Sequence, residues 1–204
     1  LTGSRKHKVV VSVTDPTDRG RQPRGKQVKA PGGIWYTPSS GIWQSVWIEP
    51  VDNSWIGDLR IVPDIDNSTL TVTVMEERCH GPEGCPPVDM APSLAEVTVR
   101  SEGKTIAVSS GITGTPITMS IPDAKLWSPD NPHLYDLTVR LITGGMVTDV
   151  VESYAGMRKI SLGITEDGFT RIFLNNLFVW QNGPLDQGFW PDGLYTPPSD
   201  DAMK

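Results

Sequence analysis

Cysteine and histidine are scarce in this sequence: two of the first and three of the second among 204 residues. That excludes a disulfide-dense scaffold and leaves few ligands for a metal centre. Cys79 and Cys85 flank His80, giving three zinc-type ligands with no fourth nearby. Two free thiols in a turn is the default reading there. A disulfide across the short loop would instead suit a periplasmic or secreted protein. None of His7, His80 and His133 sits in a Ser/His/Asp setting, and no glycine-rich phosphate loop is present. No motif asks for a cofactor. No apolar run approaches the roughly 18 residues that span a bilayer as a helix. Positive charge is outnumbered, 18 Lys and Arg against 24 Asp and Glu, and the net −6 argues against nucleic acid or an anionic membrane as partner.

Turn formers are plentiful instead. Twenty glycines and 18 prolines with 37% hydrophobic residues point to a turn-rich, mainly β protein. From Trp55 to Gly156 apolar residues alternate in about seven short runs. The clearest is Tyr135, Leu137, Val139 and Leu141, with Asp136, Thr138 and Arg140 on the opposite face. Glu102-Gly103, Gly144-Gly145 and Asn175-Asn176 have the chemistry of hairpin turns. About seven strands over roughly 100 residues is the pattern of an immunoglobulin-like sandwich, although the Cys…Trp…Cys spacing is missing.

Upstream, Lys8 to Val13 reads as a strand, and so does GIWQSVWIEPV (41–51), whose Trp43 and Trp47 are expected to pack in a core. Between them lies a long loop with Arg19, Arg21, Arg24, Lys26 and Lys29. It could hold phosphate or an acidic sugar, but the blander reading is a solvated loop, because no aromatics interleave with the charges. Asp64, Asp66 and Asn67 read as a turn, since the Gly and distal Glu of a calcium loop are lacking. Glu76-Glu77 and Asp200-Asp201 read as solvated. Downstream, LFVWQ (177–181) reads as a buried strand, followed by a loop rich in Gly, Pro and aromatics and a helix start capped by Ser199-Asp200-Asp201.

Three phrases carry a resemblance. GIWQSVWIEPV (41–51), WSPDNPHLYDLTVRL (127–141), and GMRKI (156–160) with GPLDQGFWPDGLYT (183–196) resemble glycoside hydrolase family 2. This is the family of bacterial β-galactosidases, β-glucuronidases and β-mannosidases. The resemblance implies that residues 1–51 are the C-terminal part of a sugar-binding jelly roll, 52–157 an immunoglobulin-like sandwich, and 158–204 the start of a catalytic (β/α)8, or TIM, barrel. Both ends are then expected to be truncated. Beside the resemblance, Trp127 reads as a plug on the sandwich, with Tyr135 and Leu137 continuing the core.

The loop after LFVWQ carries Asp186, Gln187, Trp190 and Asp192, together with Tyr195. Sugars need this mixture: directional hydrogen bonds to hydroxyls and a flat apolar plate for the ring. On a barrel it would occupy the face where active sites form. The alternative is a rigid surface loop packed on the sandwich. Many relatives have an Arg-Asn-His arrangement here, so the residues of galactosidases do not carry over one by one. The Asn-Glu pair that marks the family's general acid/base is missing. The reading is therefore a fragment of a retaining β-glycosidase that acts on terminal β-linked sugars, with its catalytic glutamates beyond Lys204. The rival is a non-catalytic carbohydrate-binding sandwich.

Overall fold

The computed structural model describes residues 8–42, 44–79, 91–186, 188, 190 and 195–204. Its described residues are all-β, ten strands and one 3-10 turn. They divide into two compact units, residues 49–182 and residues 1–48 with 183–204.

The larger unit opens with seven strands: β1 (Ser54–Asp64), β2 (Thr69–Arg78), β3 (Leu94–Ser101), β4 (Lys104–Ile112), β5 (Pro116–Ser120), β6 (Tyr135–Thr143) and β7 (Met146–Ala155). They form antiparallel sheets of order β1-β2-β5 and β4-β3-β6-β7, as expected of a β-sandwich. The alternation seen in the sequence is what builds it. Leu70, Val72 and Val74 of β2 and Val97, Val99, Leu137 and Val139 of β3 and β6 are fully buried and share one core. Tyr135 joins them, and its hydroxyl accepts a hydrogen bond from the Lys125 amide at 2.8 Å. Trp127 is half-buried beneath the Arg158 guanidinium, 4.7 Å from the ring centroid.

The hairpin turns fall where turn chemistry placed them. Gly144 and Gly145 take φ of 59° and 82° between Thr143 and Met146, and Glu102 and Gly103 take 51° and 77°. Positive φ at both central positions matches the twist of the flanking strands. The Asp64 carboxylate accepts from the Asp66 and Asn67 amides, at 3.0 and 3.1 Å, and closes the β1–β2 turn.

One end of the sandwich holds a polar knot. Glu76 accepts from Arg78 Nε at 2.7 Å and Nη2 at 3.1 Å, from Ser93 at 2.8 Å, from Thr113 at 3.0 Å, and from Ser54. Its side chain is only 7% exposed. Burial alone would raise its pKa, but the donors led by Arg78 outweigh that and hold it at about 2. Glu76 is therefore not the solvated carboxylate expected, although Glu77 is exposed. Alternation shows which way a strand residue points but not which distant side chains close over it.

Three further strands follow: β8 (Ile160–Ile164), β9 (Thr170–Leu174) and β10 (Leu177–Phe178), in a sheet of order β10-β9-β8. Asn175 and Asn176 turn the β9–β10 hairpin with φ of 51° and 64°. They also tie it to the sandwich. Asn175 Nδ2 donates to the Trp127 carbonyl at 2.9 Å, and Asn176 Nδ2 to Asp66 at 2.7 Å. Lys159 pairs with the same Asp66 carboxylate. One face of this sheet is aliphatic and open: Ile160, Leu162, Ile164 and Leu177 are 66%, 74%, 75% and 71% exposed. The expected buried strand at 177–181 is thus a two-residue strand with Trp180 70% exposed. No described element covers it. Amides of β8 and β10 should exchange with solvent at least about tenfold faster than those of Leu137 and Val139. Equal protection in hydrogen exchange would mean that the sheet has a covering layer.

The smaller unit is irregular. Gln27 and Tyr36 form an isolated parallel bridge, with Tyr36 N donating to the Lys26 carbonyl at 2.9 Å. The strands expected at residues 8–13 and 41–51 are not formed, and Val10 and Trp47 are 77% and 73% exposed. A strand needs a neighbour for its amides and carbonyls, and none of the described segments supplies a ladder. Trp47 is therefore not a core residue; Trp43 lies outside the described residues. The expected helix near Ala202 is a 3-10 turn, Asp201–Met203, with the Ser199 hydroxyl accepting from the Ala202 amide at 3.2 Å.

Cys79 is disulfide-bonded, which replaces the free thiol read by default, and His80 and Cys85 lie outside the described residues. No helix among the described residues is long and apolar enough to cross a membrane.

Candidate functional site

The smaller unit holds the loop singled out for its mixture of carboxylates and aromatics. Four prolines, Pro184, Pro191, Pro197 and Pro198, punctuate this stretch of the sequence, and its described residues lie in none of the ten strands. A cavity of about 590 Å³ is lined by Asp186, Gly188, Trp190, Tyr195 and the Ala202–Met203 turn. That volume falls in the range of about 300–1,000 Å³ common for small-molecule sites.

Of the four residues expected to contact substrate, Asp186 and Trp190 line this cavity together. Gln187 and Asp192 lie outside the described residues. The Asp186 carboxylate is oriented from within the loop, accepting from the Gly188 amide at 3.2 Å. Trp190 is half-buried, offering part of its ring to the cavity, and Tyr195 is 68% exposed. The arrangement supplies an acceptor pair, aromatic surface and a phenolic hydroxyl. It can hold a polyhydroxylated ring but contains no second carboxylate among its described lining residues.

A shallower concavity of about 510 Å³ lies in the larger unit, beside Arg171, Phe178 and Trp180. Its cation is already engaged: Arg171 pairs with Asp167 at 2.6 Å and sits 5.2 Å from the Phe178 ring centroid.

Six carboxylates elsewhere in the chain are poorly suited to proton donation. Asp15, Asp64, Asp66, Glu102 and Asp167 are held below the usual range, chiefly by side-chain donors on Ser40, Asn67, Lys159, Lys125 and Thr165 respectively. Glu76 is the extreme case, and its oxygens are saturated by the knot. A glycosidase general acid needs the opposite displacement.

The described strands form a β-sandwich, and the loop lines a cavity with a carboxylate and two aromatic residues. The sequence pattern of Glycosyl hydrolases family 2 matches residues 55–158, just over half of the chain. The chain belongs to this family.

Among curated relatives, a β-galactosidase of Halalkalibacterium halodurans is 25% identical over 128 residues, 60% of this chain and 12% of the relative. The chain thus spans only about an eighth of that relative's length. Among solved structures, a β-glycosidase from Bacteroides vulgatus is similar with a TM-score of 0.53 and 21% identity, over 71% of this chain and 18% of that one. A β-glucuronidase from Ruminococcus gnavus is similar with a TM-score of 0.46 and 20% identity, over 64% and 20% respectively.

Proposed function

We propose that this chain is part of a retaining β-glycoside hydrolase that removes terminal β-linked sugars. Its loop at Asp186, Gln187, Trp190 and Asp192 contributes to substrate binding. The observation that carries the reading is the joint placement, in a member of this family, of Asp186 and Trp190 on one sugar-sized cavity. Within the reading, residues 1–51 belong to a jelly roll, 52–157 to an immunoglobulin-like sandwich, and 158–204 to the opening of a TIM barrel.

Retaining hydrolysis needs two carboxyl groups about 5–5.5 Å apart, one raised in pKa as general acid/base and one ionised as nucleophile. The carboxylates held by strong donors, Asp15, Asp64, Asp66, Glu76, Glu102 and Asp167, are displaced in the direction opposite to a general acid's, and the cavity at Asp186 has no second carboxylate among its described lining residues. The catalytic pair therefore belongs to other residues of the whole enzyme, and this chain supplies binding and support. The open aliphatic face of β8–β10 supports this: it is surface that a further apolar layer would cover. A non-catalytic binding module would have closed it by folding back.

The relative named a β-galactosidase suggests methyl β-D-galactoside as a first probe. Trp190→Ala removes the aromatic plate, whose burial against a ring contributes on the order of 1.5–3 kcal/mol. Its Kd by NMR titration should rise about tenfold or more. An unchanged Kd would remove the loop from the substrate site.

A further inference from the structure

We propose that the Asp66 carboxylate is a latch that fixes the β8–β10 sheet on the sandwich, and that without it the sheet turns as a body about Trp127. One charged side chain thereby sets the direction in which the open aliphatic face of the sheet points.

The attachment of this sheet is polar. The core shared by the sandwich strands takes in no residue of β8, β9 or β10, and Ile160, Leu162 and Ile164 face solvent instead. Elements joined without a large apolar interface keep freedom of relative movement unless other contacts remove it. Two groups of contacts do so here.

The first is a pivot at Trp127. The Trp127 amide donates to the Met157 carbonyl at 2.9 Å, Leu126 and Met157 form an isolated parallel bridge, and Met157 is fully buried. The chain is thus fixed to the sandwich as far as Met157. Arg158 then stacks on the Trp127 ring, and Asn175 Nδ2 donates to the Trp127 carbonyl. Asn175 also clasps the start of β8. Its amide donates to the Lys159 carbonyl at 2.8 Å, and its Oδ1 accepts from the Lys159 amide at 3.0 Å. The hairpin tip and the start of β8 therefore move together, around one tryptophan.

The second is Asp66. One of its oxygens accepts from Lys159 Nζ and the other from Asn176 Nδ2, the latter at 2.7 Å. These two donors, Lys159 first, hold the carboxyl below the usual range and so keep it charged. Asp66 comes from the β1–β2 turn and Trp127 from the β5–β6 connection, so latch and pivot are separate points on the sandwich. Two points fix an orientation that one leaves free to rotate. The ion pair joins partly exposed side chains, and such pairs hold weakly because water competes for both partners. There is also room to move: a cleft of about 360 Å³ separates Ile61 and Pro63 of β1 and Tyr154 of β7 from Ile160 of β8.

The test uses the full 204-residue chain, isotopically labelled and weakly aligned for residual dipolar couplings. In the parent, amides of β8 and β9 should fit the same alignment tensor as those of β3 and β6. In Asp66→Ala they should require a tensor of their own, of smaller magnitude, with the Leu162–Ile172 cross-strand contacts retained. Lys159→Ala removes the ion pair from the other side without touching the β1–β2 turn and should do the same. Lys125→Ala cuts another partly exposed ion pair, to Glu102 within the sandwich, and should keep a single tensor. A single tensor persisting in either latch variant would overturn the proposal, and so would two tensors in the parent or in Lys125→Ala. Loss of the Leu162–Ile172 contacts in the latch variants would overturn it too, because Asp66 would then hold the sheet together and not aim it.

Discussion

Replacing Glu76 by alanine should lower the stability of the sandwich by about 3–5 kcal/mol, the usual cost of breaking a buried charge pair from one side. The reason lies in what remains. Arg78, 15% exposed at its side chain, would lose its bidentate acceptor. Ser54, Ser93 and Thr113, which come from three other segments, would lose theirs. Chemical denaturation reads the loss directly as a lower midpoint at an unchanged slope. A change under about 0.5 kcal/mol, typical of surface sites, would mean that the knot is solvated in solution.

The same residue fixes an acid limit. A glutamate held at about 2 against its ordinary 4.5 stabilises the fold when ionised, a depression corresponding to about 3 kcal/mol. Because the folded value is the lower one, the contribution is complete above the ordinary value. It is lost as pH falls from about 4.5 towards 2. Glu76→Gln should flatten that part of the stability profile.

Leu137→Ala should cost a comparable amount, about 2–5 kcal/mol. Leu137 is fully buried on a central strand, opposite Val99 of β3 and Ser153 of β7. Truncating it leaves a cavity that two hydrogen-bonded neighbours hold open, since neither strand can move inward without breaking its ladder. Leu162→Ala is the internal control. Leu162 is 74% exposed on β8, and its truncation should change stability by less than about 0.5 kcal/mol. Equal losses at the two sites, measured by urea denaturation, would contradict the division between closed sandwich and open sheet.

Much of this was legible before any coordinates. Tyr135 to Leu141 alternates strictly because one face is buried, and that face is the core. Gly144-Gly145 and Asn175-Asn176 mark turns because few other residues accept positive φ at both positions. Asp186 and Trp190 could be singled out because a carboxylate and an indole in a proline-rich loop is an uncommon mixture for a surface that only needs solvation; both line one cavity, and their contact with a sugar is the proposal.

What escaped the sequence depends on partners distant in the chain. Glu76 looks like half of an acidic surface pair until Ser54, Ser93 and Thr113 are brought over it. The valines at 9–11 and the residues around Trp47 have strand-forming character, but a strand exists only where another backbone pairs with it.

The most direct test of the proposed function is an assay of the purified chain on aryl β-glycosides, across β-galactosides, β-glucosides and β-glucuronides. The account predicts no turnover above the uncatalysed rate, because the residues present bind and support but do not supply the acid and nucleophile pair. Turnover that copurifies with the chain and disappears when one of its own carboxylates is replaced would contradict it, and would place the catalytic centre within these residues.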